Sequence, residues 1–426
     1  MNLHRVSSFF LIIFLFLFFS CSTVGNLESE SEHFDDIDTF LSEKGYPSFT
    51  TTLPDFYYTG ESWKNASLDL IDEAEKSILV STFLGVDDVS TEEIWQALAD
   101  KAASGVKVYI LIDSSSNFQP APMTLDFVQA AYVHLKDLEL KFAEYNPLSM
   151  SNLFFIPALL DRDHRKYWVF DSETVAVGGI NVNHTSLNYP ENLGNTDIMG
   201  VVKSADLARY ITKIFIDTYN RYSAEYLSLS DFPYVDNEFN DTRSVSTAFA
   251  IDHYWQDGLA VKDLFDAFAL SVEDELWMVQ GYTFLTPQLI DRIQYITDKG
   301  VKVNFILSKN ATQEKYELAS MYSVADLLET GATVYLYDSP EKAFLHQKVV
   351  VGDKRYVTFG SANYNYRSHT LSRELNLVYD DERIAADLLS FIDTLVDHSV
   401  KMDIEEAQQF KTFRAWVNHV IMQVWG

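Results

Sequence analysis

Apolar positions along this chain follow two alternating rhythms, and the same order of rhythms is written twice. In the first half, Ser67 to Ala74 has helical spacing, Ser77 to Phe83 is a short apolar run, Glu92 to Ala103 is helical again and Val106 to Ile112 is a second run. The second half repeats this with a helix over Val261 to Leu270, a strand over Leu276 to Gln280, a helix over Gln288 to Thr297 and a strand over Val301 to Leu307. Each second helix leads into Gly-Val-Lys-Val, at Gly105 to Val108 and Gly300 to Val303. A glycine C-cap before a β-branched strand is common once, but two copies at matching positions indicate duplication. Alternating helices and strands predict an α/β layer structure in each half with a largely buried sheet, the halves packing about a pseudo-twofold axis. The acidic stretch from Asp231 to Asp241, with Pro233, reads as the joint.

Ahead of the duplicated body, Phe9 to Ser20 form an almost unbroken apolar run after Arg5. It is short for a bilayer span and suits a signal-peptide core. Cys21, the only cysteine, follows directly in Phe18-Phe19-Ser20-Cys21-Ser22, which resembles a bacterial lipoprotein signal and implies thioether lipidation. With one cysteine no internal disulfide can form. Asn26 to Asp38 carries six carboxylates and no Lys or Arg, which reads as a solvated tether. Acyl chains on Cys21 would supply the membrane affinity. The organisation expected is a leader over 1–20, a lipidated cysteine and acidic tether over 21–50, a first half over 51–230, a linker over 231–245 and a second half with a C-terminal helix over 246–426. The expected location is the extracytoplasmic side of a bacterial envelope membrane.

Composition narrows the chemistry. A 426-residue chain with 47% hydrophobic residues can build a large core. Its 62 acidic and 32 basic residues give a net charge of -30, which repels phosphate backbones unless cations are gathered in one cleft. No nucleic-acid partner is expected.

The candidate chemistry lies late in each half. His164-Arg165-Lys166 is followed by Asp171 and by Gly178-Gly179-Ile180-Asn181; His346-Gln347-Lys348 is followed by Asp353 and by Gly360-Ser361-Ala362-Asn363. Lys stands two, Asp seven and Asn seventeen residues after His in both copies. One His-x-Lys-x-x-x-x-Asp arises by chance in roughly 5% of chains this long; two with matched extensions do not. His164 and Lys166, two apart on a strand, share a face, as do His346 and Lys348. Chain reversals near Ser172-Glu173 and Lys354-Arg355 would set Asn181 across from His164 and Asn363 across from His346.

These residues suit phosphoryl transfer without a metal or other cofactor. A lysine beside each histidine opposes a divalent cation, while two ammonium groups and two amides can carry charge on a five-coordinate phosphorus. One imidazole would attack phosphorus and the other would protonate the departing alkoxide. Each needs a partner to hold the proton on its far nitrogen. The candidates are Asp197, 33 residues after His164, and Glu374, 28 residues after His346.

The paired motifs, with Phe344-Leu345-His346, Gly360 to Ser368 and Glu374-Leu375-Asn376, resemble the phospholipase D superfamily, and most of all bacterial cardiolipin synthases, from about Ser62 to His398. The resemblance implies a duplicated phospholipase D fold with its active site between the halves. It implies His164 as nucleophile, His346 as acid/base, and Asp171 and Asp353 as structural acids. It further implies a phospholipid substrate, with one polypeptide sufficient for a complete site. The chain departs from that family at Asn195, where a Trp is usual, and at Asn365, where an Asp is usual. The reaction expected is cardiolipin synthesis from two phosphatidylglycerols, with hydrolysis by a phospholipase D or other phosphodiesterase as the alternative and a non-catalytic envelope lipoprotein as a further one. Finally, Phe413, Val417, Val420, Ile421 and Val424 recur at helical spacing near the C-terminus, a stripe expected to pack on its own domain, with docking at a membrane interface as the alternative.

Overall fold

The computed structural model describes residues 36–118, 137–147, 160–187, 195–237, 242–311, 313–339 and 343–425 and the single positions 27, 34, 135 and 239. Helix α1 (Ile37–Glu43) and strand β1 (Ser48–Thr52) come first. The first half runs β2 (Asp55–Thr59), α2 (Gly60–Glu73), β3 (Ser77–Thr82), α3 (Glu92–Ala103), β4 (Lys107–Asp113), β5 (Lys141–Tyr145), β6 (Arg162–Asp163), β7 (Tyr167–Phe170), β8 (Thr174–Gly178), β9 (Thr196–Lys203) and α4 (Ala205–Tyr222). The second runs β10 (Val245–His253), α5 (Ala260–Ser271), β11 (Glu275–Gln280), α6 (Pro287–Asp298), β12 (Lys302–Ser308), α7 (Glu314–Glu329), β13 (Thr333–Tyr337), β14 (Lys348–Gly352), β15 (Tyr356–Gly360), α8 (Tyr366–Thr370), β16 (Ser372–Asp380) and α9 (Glu382–Asp397). Strand β17 (Ser399–Lys401) and helices α10 (Ile404–Gln408) and α11 (Phe413–Trp425) close the chain.

The duplication survives as topology. The first sheet has the order β2-β9-β8-β7-β3-β4-β5, and the second repeats it as β10-β16-β15-β14-β11-β12-β13, with β1 and β17 added at its edges. In each, three parallel strands adjoin an antiparallel hairpin, β7-β8 or β14-β15. Along β3, Ile78 and Val80 point outward under Trp63, Trp95 and Leu98 of α2 and α3, while Leu79 points inward. On β11, Leu276 and Met278 point outward beneath α5 and α6, and Val279 inward. The inward faces of both sheets, with α4 and α9, form one shared core. Each aliphatic side chain buried there is worth roughly 1.5–3 kcal/mol, so the halves are joined mainly by apolar area. Both faces of each sheet are covered, which is why the strands read as continuous apolar runs. Gly105 (φ +100°) and Gly300 (φ +88°) take the left-handed conformation just past α3 and α6, the role their repeated motif predicted.

Three expectations change. The tether ends well before residue 50: Ile37, Phe40 and Leu41 of α1 are buried in the second-half core, the Tyr46 hydroxyl donates to Asp263 at 2.7 Å, and β1 pairs with β10. Apolar residues at helical spacing within the acidic stretch carry it back onto the protein. Cys21 and the leader lie outside the described residues.

The hairpins are displaced by one residue from the register expected. Tyr167 faces Val177 and Val349 faces Phe359, because the turns are centred one position earlier, with Asp171 and Ser172, and Asp353 and Lys354, all at positive φ. Asn181 and Asn363 are therefore not the cross-strand partners of the histidines.

The C-terminal stripe does not pack as expected. Helix α11 buries Ala415, His419 and Met422, and of the stripe only Val424 is buried, leaving Phe413 and Ile421 exposed. The rotation is set by polar contacts, since His419 Nδ1 lies 2.9 Å from the Ala319 carbonyl and Gln423 Nε2 donates to that of Leu285 at 2.8 Å.

Candidate active site

Each Asp of the paired motifs holds its hairpin to the body. The Asp171 carboxylate accepts the backbone N–H groups of Glu75, Lys76 and Ser77 at 2.7 to 2.9 Å, where the chain leaves α2 for β3. Asp353 accepts those of Glu273, Asp274 and Glu275 at 2.8 to 2.9 Å. Left-handed backbone at a residue other than glycine is unfavourable, by roughly 1–2 kcal/mol. Three charge-assisted hydrogen bonds per carboxylate outweigh it.

The histidines precede these hairpins, and each is tied into the opposite half. Strand β6 pairs in parallel with the start of β16, and the His164 N–H donates to the Arg373 carbonyl at 3.0 Å. Reciprocally, Leu345 bridges to Thr196, and the His346 N–H donates to the Thr196 carbonyl at 2.9 Å. The acids are therefore exchanged relative to the sequence order. His164 Nδ1 lies 2.9 and 3.1 Å from the two oxygens of Glu374, and His346 Nδ1 lies 2.7 Å from Asp197 Oδ2. The pairing expected within each half is corrected to pairing between halves, because each histidine strand docks on the other half's acid-bearing strand.

The two acids are held differently. Glu374 also accepts the Ser361 hydroxyl at 2.6 Å and the Ser368 hydroxyl at 2.7 Å. Asp197 has instead the Ile198 N–H at 2.9 Å and a glycine beside it, where a Cβ on Gly179 would come within 2.2 Å of Asp197 Oδ1. Gly179 and Ser361 occupy equivalent positions, so the shorter acid faces a glycine and the longer one a serine. That difference was visible in the aligned motifs, but not its meaning. Ser368 ends the stretch that carried the family resemblance, but no pattern in the sequence assigned it this role.

The amides and lysines complete the site. Asn181 Oδ1 accepts the Leu84 N–H at 3.1 Å, while Asn363 Oδ1 is buried with no hydrogen-bond partner among the described residues. Lys166 Nζ lies 2.5 Å from the His164 carbonyl and 5.1 Å from the Phe83 ring centre, and Lys348 Nζ donates to the His346 carbonyl. Phe83 meets His164 edge-on at 4.9 Å, and Tyr282 meets His346 likewise at 5.8 Å. Beneath His164, buried Arg165 makes a bidentate pair with Asp163, at 2.6 and 2.8 Å, and reaches Asp252 of the other half at 3.0 Å. Arg373 lies 3.9 Å over the Tyr254 ring. Among the described residues no group of three His, Cys, Asp or Glu side chains could hold a metal ion.

Burial, and then the neighbouring lysine cations, overcome the stabilising acids and push both histidines down to about 4. Burial also lowers Lys166 to about 7 and Lys348 to about 8. For Glu374 burial acts upward, but His164, Lys166 and the Ser361 hydroxyl outweigh it and bring the group to about 2. Asp197 is likewise lowered, with Lys348 and His346 outweighing burial. At neutral pH both imidazoles are uncharged. Because each faces a carboxylate that can only accept, Nδ1 carries the proton and Nε2 keeps its lone pair. The arrangement can offer an electron pair to an electrophile flanked by cations.

A duplicated α/β frame with one His/Lys/Asn set from each half defines the class, the phospholipase D superfamily. The chain belongs to the family described as "Cardiolipin synthase, PLD-like domain", whose model matches residues 68–219 and 269–396, and is an enzyme of the phosphatidyltransferase type. It is 25% identical over 354 residues to a cardiolipin synthase of Geobacillus kaustophilus, covering 82% of this chain and 67% of that protein. It is 22% identical over 389 residues to a minor cardiolipin synthase of Bacillus subtilis, covering 89% and 92%. The crystal structure of phosphatidylserine synthase from Haemophilus influenzae shares the fold, with TM-score 0.73 and 15% identity over 92% of this chain and all of that one.

Proposed function

We propose that the enzyme transfers a phosphatidyl group through a phosphohistidine and makes cardiolipin from two molecules of phosphatidylglycerol. The observation that carries this reading is the reciprocal pairing of His164 with Glu374 and His346 with Asp197. It gives one imidazole to each side of a two-step displacement. His164 Nε2 attacks phosphorus, the bond to the glycerol oxygen breaks, and glycerol leaves with a proton from His346. A hydroxyl of the second phosphatidylglycerol then gives its proton to His346 and displaces His164, restoring both rings. The bound phosphodiester supplies the negative charge that lets His346 hold a proton before the first step. Lys166, Lys348, Asn181 and Asn363 hold the phosphoryl oxygens, and Asp171 and Asp353 maintain the hairpins. Both pairs come from one polypeptide, so a monomer suffices.

Among the described residues no helix is long and apolar enough to cross a membrane. Lipidation of Cys21 would keep the body at an envelope membrane.

The test is mass spectrometry of products from phosphatidylglycerol vesicles with the enzyme and its His164→Ala variant. His164-dependent cardiolipin with equimolar glycerol is expected. Phosphatidic acid alone would make the protein a hydrolase, and the absence of any product from either protein would refute both readings.

A further inference from the structure

We propose that Gln280 is a positioning residue for Asn363, turning that amide so that its nitrogen meets a phosphoryl oxygen. Gln280 ends β11 opposite Lys348 and is fully buried, so it acts through a neighbour rather than on substrate. The chain then passes the histidine segment so closely that a Cβ on Gly281 would lie 2.9 Å from His346 Cα. Gln280 Oε1 accepts the Tyr364 N–H at 2.8 Å, on the residue that follows Asn363. This bond fixes the orientation of the Gln280 amide, because its nitrogen turned toward an N–H would set two donors face to face. Gln280 Nε2 is left buried with no acceptor among the described residues. Buried donors are nearly always hydrogen-bonded, so one left over beside a reaction centre points to a bond made with substrate in place.

The first half shows what that bond is. Asp171 accepts from Ser77 and Asp353 from Glu275, which aligns Thr82 with Gln280, Asn181 with Asn363 and Val182 with Tyr364. The Val182 N–H is shared by Thr82 Oγ1 at 3.4 Å and the Leu84 carbonyl at 3.0 Å, and the Tyr364 N–H goes to Gln280. Asn181 Oδ1 accepts the Leu84 N–H at 3.1 Å, which commits its oxygen and leaves its nitrogen to donate elsewhere. In the second half the corresponding oxygen, Asn363 Oδ1, is buried with no donor among the described residues. One acceptor and one donor, both buried and both unspent, thus flank the same Tyr364 N–H. Gln280 carries the amide nitrogen that Thr82 lacks, in the half where no backbone N–H serves the asparagine.

The two amides close on each other when a phosphoryl oxygen draws Asn363 Nδ2. Rotation about the Asn363 Cβ–Cγ bond brings Oδ1 to Gln280 Nε2, and both groups are then satisfied. The chain Gln280 to Asn363 to phosphoryl oxygen is tightest at five-coordinate phosphorus, where the equatorial oxygens carry most charge. No proton moves along it, so the contribution is one of orientation.

This inference rests on the proposed function in taking Asn363 as a ligand of the phosphoryl group, but binding can be read without lipid. Orthovanadate, which takes up the five-coordinate geometry, is titrated into the full-length enzyme by calorimetry, and kcat and KM are measured on phosphatidylglycerol vesicles. Gln280→Met, similar in length and without the amide, should weaken vanadate about tenfold and lower kcat about tenfold, with KM within about twofold. In an Asn363→Ala background the same replacement should cost less than about twofold. A Gln280 that only held Tyr364 would cost the same in both backgrounds. That result, or full vanadate affinity in a folded Gln280→Met enzyme, would overturn the inference.

Gln280→Thr copies Thr82, keeps an acceptor near the Tyr364 N–H and lacks the amide nitrogen. It serves if Gln280→Met does not fold, and it should show the same losses; unaltered vanadate affinity in it would overturn the inference equally. Vanadate binding that depends on Gln280 and Asn363 together, in an enzyme that turns over no lipid, would refute the proposed function and leave the positioning role standing.

Discussion

Replacing Glu374 by Gln removes one charge and almost no volume at the centre of the site. Its carboxylate lies 2.9 Å from His164 Nδ1 and is clamped from the other side by the Ser361 and Ser368 hydroxyls. A unit charge pair at that distance interacts by roughly 6 kcal/mol at an effective dielectric of about 20, an upper limit on what the developing imidazolium would lose. The amide also disturbs the clamp: Ser361 and Ser368 donate to different oxygens of the carboxylate, so the Gln nitrogen must replace one of these acceptors and one serine loses its hydrogen bond. A loss of about 10³- to 10⁴-fold in kcat per folded molecule is expected. The assay is turnover of a phosphatidyl ester with an activated leaving group, beside the parallel Asp197→Asn variant. A good leaving group needs no acid, so Asp197→Asn should still form the intermediate and accumulate a phosphohistidine seen by intact mass. A folded Glu374→Gln enzyme within tenfold of the original rate would refute the reasoning.

Other outcomes follow from the same geometry. Asp171→Ala forfeits three backbone hydrogen bonds and should cost about 2–4 kcal/mol of stability in a denaturant melt, with kcat per folded molecule within about threefold; a folded variant that is catalytically dead would contradict a purely structural Asp. The profile of kcat/KM against pH should rise through about 4 as His164 loses its proton, fall above about 4 as His346, the acid of the first step, loses its own, and fall more steeply across about 7 to 8 as Lys166 and Lys348 lose theirs. The alkaline limb of kcat itself should lie higher, since a bound phosphate anion retains the lysine protons; a limb at lower pH would count against those roles. Gly179→Ala places a methyl 2.2 Å from Asp197 Oδ1 and should cost about 100-fold in kcat, whereas Ser361→Ala removes only one of two hydroxyl donors and should cost about tenfold. Equal small effects in stopped-flow turnover would show that carboxylate placement does not limit the reaction.

The sequence by itself determined the repeating elements and the composition of the site. Periodicity fixes which runs become helix or strand, and the glycines at 105 and 300 end their helices in the conformation that glycine adopts most readily. The matched spacing from His164 to Asn181 and from His346 to Asn363 marked two equivalent sets, because each set spans a single hairpin. The hairpin register escaped by one residue. Asp-Ser and Asp-Lys are weak signals for a turn with two positive φ values, and what holds it is a carboxylate bonding backbone nearly a hundred residues away in the first half. The face that α11 turns outward escaped too, since its apolar pattern runs nearly all round and the carbonyls of Ala319 and Leu285, met by His419 and Gln423, choose the rotation. Only the tertiary structure decided which acid serves which histidine. His164 finds Glu374 across 210 residues and His346 finds Asp197 across 149, because short parallel strands at the interface exchange partners between the halves. Local patterning carries no information about such an exchange, which comes from burying two apolar sheet faces against each other.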